Sequence, residues 1–329
     1  IRGALEQNRP LVTALAQRVR DARRRLERRA RTPRPQVPTV QAVFELAAKT
    51  AGRIPAELTL KPGQTATLRG ELGRVLQHYN QASGGAVLTA SADLYGSTSV
   101  NTIGKGFPEG WYNAATNPWA RMLATGGICE DAMSGLLAGI STFGRHIGVG
   151  SSYGAFIAAL GHVAARLHAI GNQARRAVDG GPYRTVVLLC AHAGIKTGED
   201  GPTHADPQAL QLLQENFPPG TAITLTPWDP AETWTLVAAA LARRPAVLAP
   251  FVTRPNETVP DRAKLGLAPA EAASTGVYRL RAPRGRADGT LVLHFTELAN
   301  VGAAEGFVSP RPPLLADPLA AFDGFEKGF

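Results

Sequence analysis

The stretch Thr185-Val-Val-Leu-Leu-Cys190 decides the fold class of this chain. Its apolar side chains fall on both faces of an extended strand, which is typical of a strand covered on both sides. Helix-length segments lie before and after it, and other short apolar runs lie beyond those segments. Strands that alternate with helices predict an α/β fold, in which a parallel sheet carries helices on both faces.

The same alternation covers residues 64–256. Helices are predicted at 65–82, 130–143, 155–177, 207–214 and 230–243. Strands are predicted at 86–90, 121–125, 147–151, 185–190, 222–226 and 246–252, with two weaker ones at 277–280 and 290–295. We therefore divide the chain into an Arg-rich helix and Pro-rich linker at 1–63, an α/β domain at 64–256 and a C-terminal extension at 257–329. The linker contains a short predicted helix at 40–51.

The basic charge of the chain is concentrated near its start. Nine Arg between residues 18 and 34 face only Asp21 and Glu27, so this segment holds +7 of the net charge of +9. Residues 10–31 predict an amphipathic helix, with Arg opposite a stripe of Leu11, Leu15, Val19, Ala22 and Leu26. Because the rest of the chain is nearly neutral, the composition argues against a protein that binds nucleic acid as a whole.

Cysteine use and hydropathy indicate the compartment. The two cysteines, Cys129 and Cys190, are too few for a disulfide framework or a metal cluster, which favours a reducing, cytoplasmic setting. No apolar run approaches the ~18 residues that a membrane span needs.

The strongest local signal is Gly198-Glu-Asp-Gly-Pro-Thr-His204, on the loop after the strand that ends at Cys190. Its Gly and Pro residues exclude a helix and let the backbone approach a ligand closely. His192 lies just past the same strand, so two imidazoles and the carboxylate of Asp200 converge at one strand end. Such a group suits polyol or phosphate recognition and proton transfer.

This motif resembles the signature of the transketolases. Four other segments follow in that family's order: Thr67-Leu-Arg69, Ser91-Ala-Asp-Leu-Tyr-Gly-Ser97, Gly126-Gly-Ile-Cys-Glu-Asp-Ala-Met133 and Phe251-Val-Thr-Arg254. The resemblance spans about residues 65–255. It implies the pyrimidine-binding part of a thiamine-diphosphate-dependent enzyme that transfers a two-carbon ketol unit between sugar phosphates.

The resemblance assigns the cofactor to Glu130, Phe156 and Asp93. A buried carboxyl group at Glu130 would bond the ring nitrogen of the cofactor's aminopyrimidine and favour its imino form, which is the form that removes the thiazolium proton. The neighbours Ile128, Met133, Leu136 and Leu137 predict a water-poor setting for this acid. Phe156 would stack on the pyrimidine.

The resemblance also implies the substrate contacts. Arg suits sugar phosphates because its planar fork pairs two phosphate oxygens at once. The substrate residues implied are Arg69, Ser97, His192, Asp200, His204 and Arg254, of which His192 and His204 would also serve catalysis.

Several positions depart from the family pattern. Cys129 replaces an arginine, Ala159 replaces a second aromatic, and Ala193-Gly194 and Ala205-Asp206 replace the usual residues after the two histidines. The chain has no Gly-Asp-Gly motif, with which the family holds the cofactor's diphosphate and its Mg or Ca. The resemblance therefore implies a separate diphosphate-binding domain or subunit, in a homodimer or heterotetramer.

Two other functions stay open from the sequence. One is a different thiamine-diphosphate enzyme, such as a deoxyxylulose-phosphate synthase or a beta-type subunit of a 2-oxoacid dehydrogenase. The other is a non-catalytic module of the same fold that docks on RNA or a protein through its Arg-rich helix.

Overall fold

The structure is a computed structural model in which residues 2–29, 37–50, 52–156, 165–193 and 217–281 are described. The helices are α1 (Arg2–Gln7), α2 (Arg9–Arg28), α3 (Val40–Thr50), α4 (Leu68–Ala82), α5 (Glu130–Phe143), α6 (Arg166–Asp179), α7 (Thr233–Ala242) and α8 (Arg262–Leu265). The strands are β1 (Thr65–Thr67), β2 (Val87–Ser91), β3 (Ile147–Tyr153), β4 (Val186–Ala191), β5 (Ala222–Leu225), β6 (Val247–Val252) and β7 (Asn256–Thr258).

A five-stranded parallel sheet in the order β2-β3-β4-β6-β5 forms the centre of the domain. Strand β4 occupies the middle, as its uniformly apolar sequence predicts, and every one of its residues is buried. The predicted α/β class with a parallel sheet is therefore confirmed. A separate antiparallel pair joins β1 to β7.

Helices cover the two faces of the sheet in separate layers. On one face, α3, α4 and α7 share a core with Val187 and Leu189 of β4. On the other face, α5 and α6 share a core with Val186 and Leu188. Because consecutive side chains of a strand point to opposite faces, β4 contributes to both cores.

The described residues within 1–37 form a compact unit of their own. Helix α2 begins and ends within a few residues of the predicted bounds, and Pro10 occupies its first turn, where a missing N–H costs nothing. No residue of α2 is buried.

Some predicted elements differ from the structure. Residues 65–67 are a strand rather than the first turn of α4, because they pair with β7; Thr67 then caps the helix by accepting a hydrogen bond from the Gly70 N–H. Residues 121–125 do not form a strand. They make two backbone hydrogen bonds to Thr89, after which the chain turns at Gly126, whose φ is +81°.

Three further predictions concern the ends of the domain. Residues 277–280 form no strand; Arg281 makes one isolated bridge to Leu267. The helix predicted at 155–177 is described from Arg166 to Asp179, after a 3₁₀ turn at Gly154–Phe156. The helix predicted at 207–214 and the strand predicted at 290–295 lie outside the described residues.

Candidate functional site

The carboxyl edge of the sheet collects the predicted site residues that the structure describes. Helices that lead into parallel strands begin at this edge, so the first turns of α4 and α5 place Arg69 and Glu130 here. The residues that follow strands are Asp93 and Ser97 after β2, Phe156 after β3, His192 after β4 and Arg254 after β6.

His192 lies at the centre of this edge and is fully buried. Its backbone has a φ of +56°, in the left-handed region that costs a non-glycine residue roughly 1–2 kcal/mol. This conformation turns the chain directly at the end of β4, and the Ala193 N–H still donates to the Val252 carbonyl of β6. The imidazole is therefore held on the sheet itself rather than on a free loop.

Arg69 connects helix α4 to this histidine. Its Nη1 lies 2.7 Å from Nε2 of His192 and also donates to the main-chain oxygen of Ser97. A guanidinium group has no acceptor, so Nε2 of His192 must accept this bond and the ring carries its proton on Nδ1. Three predicted substrate residues thus form one cluster, with Ser97 joined through its carbonyl.

Tyr153 is a site residue that the sequence analysis missed. Its ring stacks on the imidazole of His192, with centroids 4.0 Å apart and planes inclined by 12°. The ring of Phe156 follows at 6.3 Å from that of Tyr153. The predicted strand ended at Ser151, which left Tyr153 in a short gap; an aromatic residue just past a strand end was the available signal.

Glu130 begins helix α5 and is partly buried. The hydroxyl of Ser152, in the adjoining strand β3, donates to Oε1 of Glu130 over 2.9 Å. Ser152 is itself buried, so one carboxylate oxygen is fixed by a rigid donor. The carboxylate is thereby tied to strand β3, in which the next residue, Tyr153, points to the opposite face of the sheet and packs in the core shared with α4.

The water-poor setting predicted for Glu130 is only half present in this chain. Met133 and Leu137 are fully buried against the sheet, but Ile128 is 76% exposed and Leu136 is 47% exposed. Helix α5 buries one face, and neighbours in sequence do not all lie on it. In the single chain, Ile128 and Leu136 therefore do not shield this part of α5 from water.

Asp93 and Arg254 are two further predicted residues at this edge of the sheet. The carboxylate of Asp93 accepts a hydrogen bond from the Leu94 N–H, which stabilises its own loop. Arg254 is partly buried just past β6. Asp200 and His204 lie outside the described residues, so their roles stay predictions.

Among the residues that the structure describes, no group of three or more His, Cys, Asp or Glu is placed to hold a metal ion. No described helix combines the length and the hydropathy that crossing a membrane requires.

The carboxyl edge has the parts to bind one side of a flat, nitrogen-containing ring. A carboxylate fixed at one oxygen can bond a ring nitrogen through the other, and the 43%-exposed ring of Phe156 can cover a ring face. Beside them, Arg69 and His192 offer groups suited to anions and hydroxyls. These residues fit the aminopyrimidine of thiamine diphosphate, whereas the described residues include no ligand set for its metal.

A family model agrees with this geometry. The family described as "Transketolase, pyrimidine binding domain" matches residues 64–256. Among curated proteins, a "Putative transketolase C-terminal section" of Methanocaldococcus jannaschii is 30% identical over 128 residues, which are 39% of this chain and 33% of that protein.

Solved structures share the fold. A transketolase from Leishmania mexicana superposes with a TM-score of 0.51 and 22% identity, over 66% of this chain and 30% of that one. A transketolase from Pichia stipitis in complex with sedoheptulose-7-phosphate superposes with a TM-score of 0.56 and 24% identity, over 75% of this chain and 34% of that one. The chain thus spans about a third of the length of the relatives it matches.

Proposed function

The chain belongs to the transketolase family through its pyrimidine-binding domain, and on that premise we propose that it supplies the pyrimidine side of a thiamine-diphosphate site. The reaction proposed is the transfer of a two-carbon ketol unit between sugar phosphates. The observation that carries this proposal is the Glu130 carboxylate, fixed by Ser152 on the rim that also presents Tyr153 and Phe156.

Glu130 is assigned the central role. Its carboxylate would share a proton with the pyrimidine ring nitrogen, while Ser152 holds the other oxygen in place. Thiamine diphosphate, when bound, supplies a carbon nucleophile that the protein's own side chains cannot provide. The contribution of Glu130 is therefore to bind, orient and hold a proton at one ring atom.

The substrate side is assigned to the cluster around His192. Arg69 has one nitrogen committed to His192 and Ser97, and its fork geometry suits a phosphate or a polyol oxygen. Arg254 stands at the same edge of the sheet. Asp200 and His204, from the signature motif, are proposed to complete the contacts with donor and acceptor.

A second domain or subunit is proposed to hold the cofactor's diphosphate and its Mg or Ca. Two features support it: the chain spans about a third of its relatives' length, and the described residues hold no metal cluster. Ile128, two residues before Glu130, and Leu136, on the same helix α5, are exposed, as is Phe156 after β3. A partner that covers them would also exclude water from the acid. We propose a homodimer or heterotetramer on this basis.

Reconstitution tests the proposal. The chain is mixed with a diphosphate-binding partner, thiamine diphosphate and Mg, and the transfer from xylulose 5-phosphate to an aldose phosphate is measured. Glu130→Ala should lower kcat by about 10²–10⁴, as the loss of a proton-handling group does. The matched control is Asp131→Asn, an exposed acid one residue further along α5, and it should keep near-wild-type activity.

Three outcomes contradict the proposal. Full activity of Glu130→Ala would remove the assigned mechanism. Turnover of pyruvate in place of xylulose 5-phosphate would indicate a different thiamine-diphosphate enzyme. No turnover of either substrate, together with no cofactor binding, would indicate a non-catalytic module.

A further inference from the structure

Helix α2 exposes a continuous apolar stripe. Leu11, Leu15, Val19 and Leu26 are each between 61% and 69% exposed, and no residue of the helix is buried. Four large aliphatic side chains on one face of a 20-residue helix are more than a solvated helix needs. We therefore expect another apolar surface to cover this stripe.

The spacing of the stripe indicates the kind of occupant. Val12, Val19 and Leu26 follow one another at intervals of seven, and Leu15 and Ala22 lie three residues after the first two. This is a heptad pattern with apolar a and d positions, which keeps the stripe on one side when two helices supercoil. Val12 and Val19 at a, with Leu15 at d, match the combination of β-branched and leucine positions that favours two strands over higher states.

The charges beside the stripe determine the partner. Of the three g positions on one flank, Arg18 and Arg25 occupy two and Leu11 the third; of the three e positions on the other, Arg9 and Arg23 occupy two. The acids of the helix lie away from the seam and bond within α2: Glu27 to Arg23 over 2.8 Å, and Asp21 to Arg24 over 3.6 Å. A second copy of α2 would bring arginine against arginine on both flanks, so self-association is disfavoured.

We propose that α2 is one strand of a two-stranded coiled coil, and that its partner is a helix with an apolar seam flanked by Asp or Glu. Such a helix would bury the stripe and place carboxylates against the flanking arginines. A homodimer would bury the same stripe but place arginines against each other, and this repulsion disfavours it. RNA would neutralise the arginines but leave the aliphatic stripe in water. Interfacial membrane helices commonly insert Trp or Phe, and α2 has no aromatic residue.

Designed peptide probes test this inference on the full chain. The first is a fluorescent three-heptad helix with Val at a, Leu at d and Glu at e and g; the second has Lys at e and g and is otherwise identical. Fluorescence anisotropy should show the Glu peptide bound at least about tenfold more tightly than the Lys peptide. Raising NaCl from 0.05 to 0.5 M should reduce that ratio, since exposed charges are screened.

Charge-reversal variants distinguish binding through the coiled-coil seam from general attraction of acidic peptides to a basic helix. The double variant Arg18→Glu/Arg25→Glu should reverse the preference in favour of the Lys peptide. The matched control Arg20→Glu/Arg24→Glu has the same net charge but changes the face opposite the stripe, so it should keep the preference for the Glu peptide. Val19→Asp should abolish binding of both peptides.

Four results would overturn the inference. These are equal affinity for the two peptides, no binding of either at about 100 μM, sedimentation of the chain as a dimer that Val19→Asp dissociates, and loss of the preference in the Arg20/Arg24 control. Binding of the chain to phosphatidylglycerol vesicles, without binding of the Glu peptide, would assign the stripe to a membrane surface instead. None of these measurements depends on the enzymatic activity proposed above.

Discussion

Removing the guanidinium of Arg262 should destabilise the domain by several kcal/mol, and more at high pH than at low pH. Arg262 is the shared partner of two buried acids. Its Nε and Nη2 donate to Oδ2 of Asp229 at 2.9 and 2.5 Å, and Nη2 also donates to Glu232. Tyr278 donates its hydroxyl to the same Glu232 oxygen. Arg262→Met would keep an unbranched apolar stem and remove the guanidinium and its charge.

The magnitude follows from the burial of the acids. Glu232 is 2% exposed and Asp229 is 4% exposed, so neither is hydrated once its partner is gone. Breaking a buried ion pair by deleting one side costs about 3–5 kcal/mol. We take the lower end, about 3 kcal/mol at pH 8, because Glu232 can relieve part of the cost by binding a proton. For a domain of this size that is a fall in Tm of about 6–12 °C.

The pH dependence has a definite sign. Burial raises the pKa of Glu232 and the charge of Asp229 adds to that rise, whereas Arg262 lowers it. Without Arg262 the pKa of Glu232 in the folded state rises further above its unfolded value. An acid whose pKa is higher in the folded than in the unfolded state contributes its full stability below the unfolded-state pKa. That contribution is lost as the pH rises through the folded-state pKa. The deficit of Arg262→Met relative to wild type should therefore grow from pH 5 to pH 8.

Urea unfolding at pH 5 and pH 8, followed by tryptophan fluorescence, measures both quantities. Lys264→Met is the matched control: it lies in the same short helix α8 but is exposed, so its effect should stay within about 0.5 kcal/mol. Adding Glu232→Gln to Arg262→Met should recover at least about 1 kcal/mol at pH 8, because a neutral amide replaces the unpaired charge. A loss below about 1 kcal/mol, or a loss independent of pH, would refute the reasoning.

Two more predictions concern the packing of α5 and α6 on the sheet. Burial lowers the pKa of His168, so the unfolded chain takes up a proton that the folded domain resists. The free energy of unfolding should therefore be highest above about pH 6.5 and fall below it. His168→Gln should reduce this pH dependence in unfolding curves measured from pH 5 to 7.5. Gly148→Ala should cost about 1–3 kcal/mol by urea unfolding, because its new Cβ would lie 2.5 Å from the Leu137 carbonyl oxygen. Gly139→Ala, whose Cβ would meet open space in the helix, is its control and should be neutral or mildly stabilising.

The sheet could be predicted because its information is local. An apolar run such as residues 185–190 can only be a buried strand when helices flank it, and strand β4 is found there. Helix α5 was predicted with its observed bounds, since Glu130 favours a helix start and Gly144 a helix end. Strand β1 was not predicted, because its partner β7 lies at the other end of the domain and Thr65–Thr67 has no pattern of its own.

The sequence predicted which residues lie at the candidate site, but not the contacts that join them. His192 could be placed at the edge because it follows a buried strand, whereas Arg69 and Ser97 were assigned only by the resemblance to the transketolases. Their joining bonds could not be: Ser97 contributes a carbonyl rather than its hydroxyl, and Tyr153 stacks where no residue was assigned. Orientation depends on rotamers and on the φ of His192, which a linear pattern does not encode.

On the proposed function, three exposed apolar side chains on α5, before it and after β3 would link assembly to chemistry. Ile128, Leu136 and Phe156 are each between 43% and 76% exposed, and full burial of such side chains is worth about 1.5–3 kcal/mol each. A domain that covers them would gain the part of this free energy that matches their exposed fractions, and a contact that also reaches Glu130 would withdraw water from the carboxylate that Ser152 holds. A carboxyl group shares a proton with a ring nitrogen more strongly where water cannot compete for it. On the proposed function, docking of the diphosphate-binding half and activation of Glu130 are therefore one event, which accounts for an acid that is fixed in position yet only partly buried in the single chain.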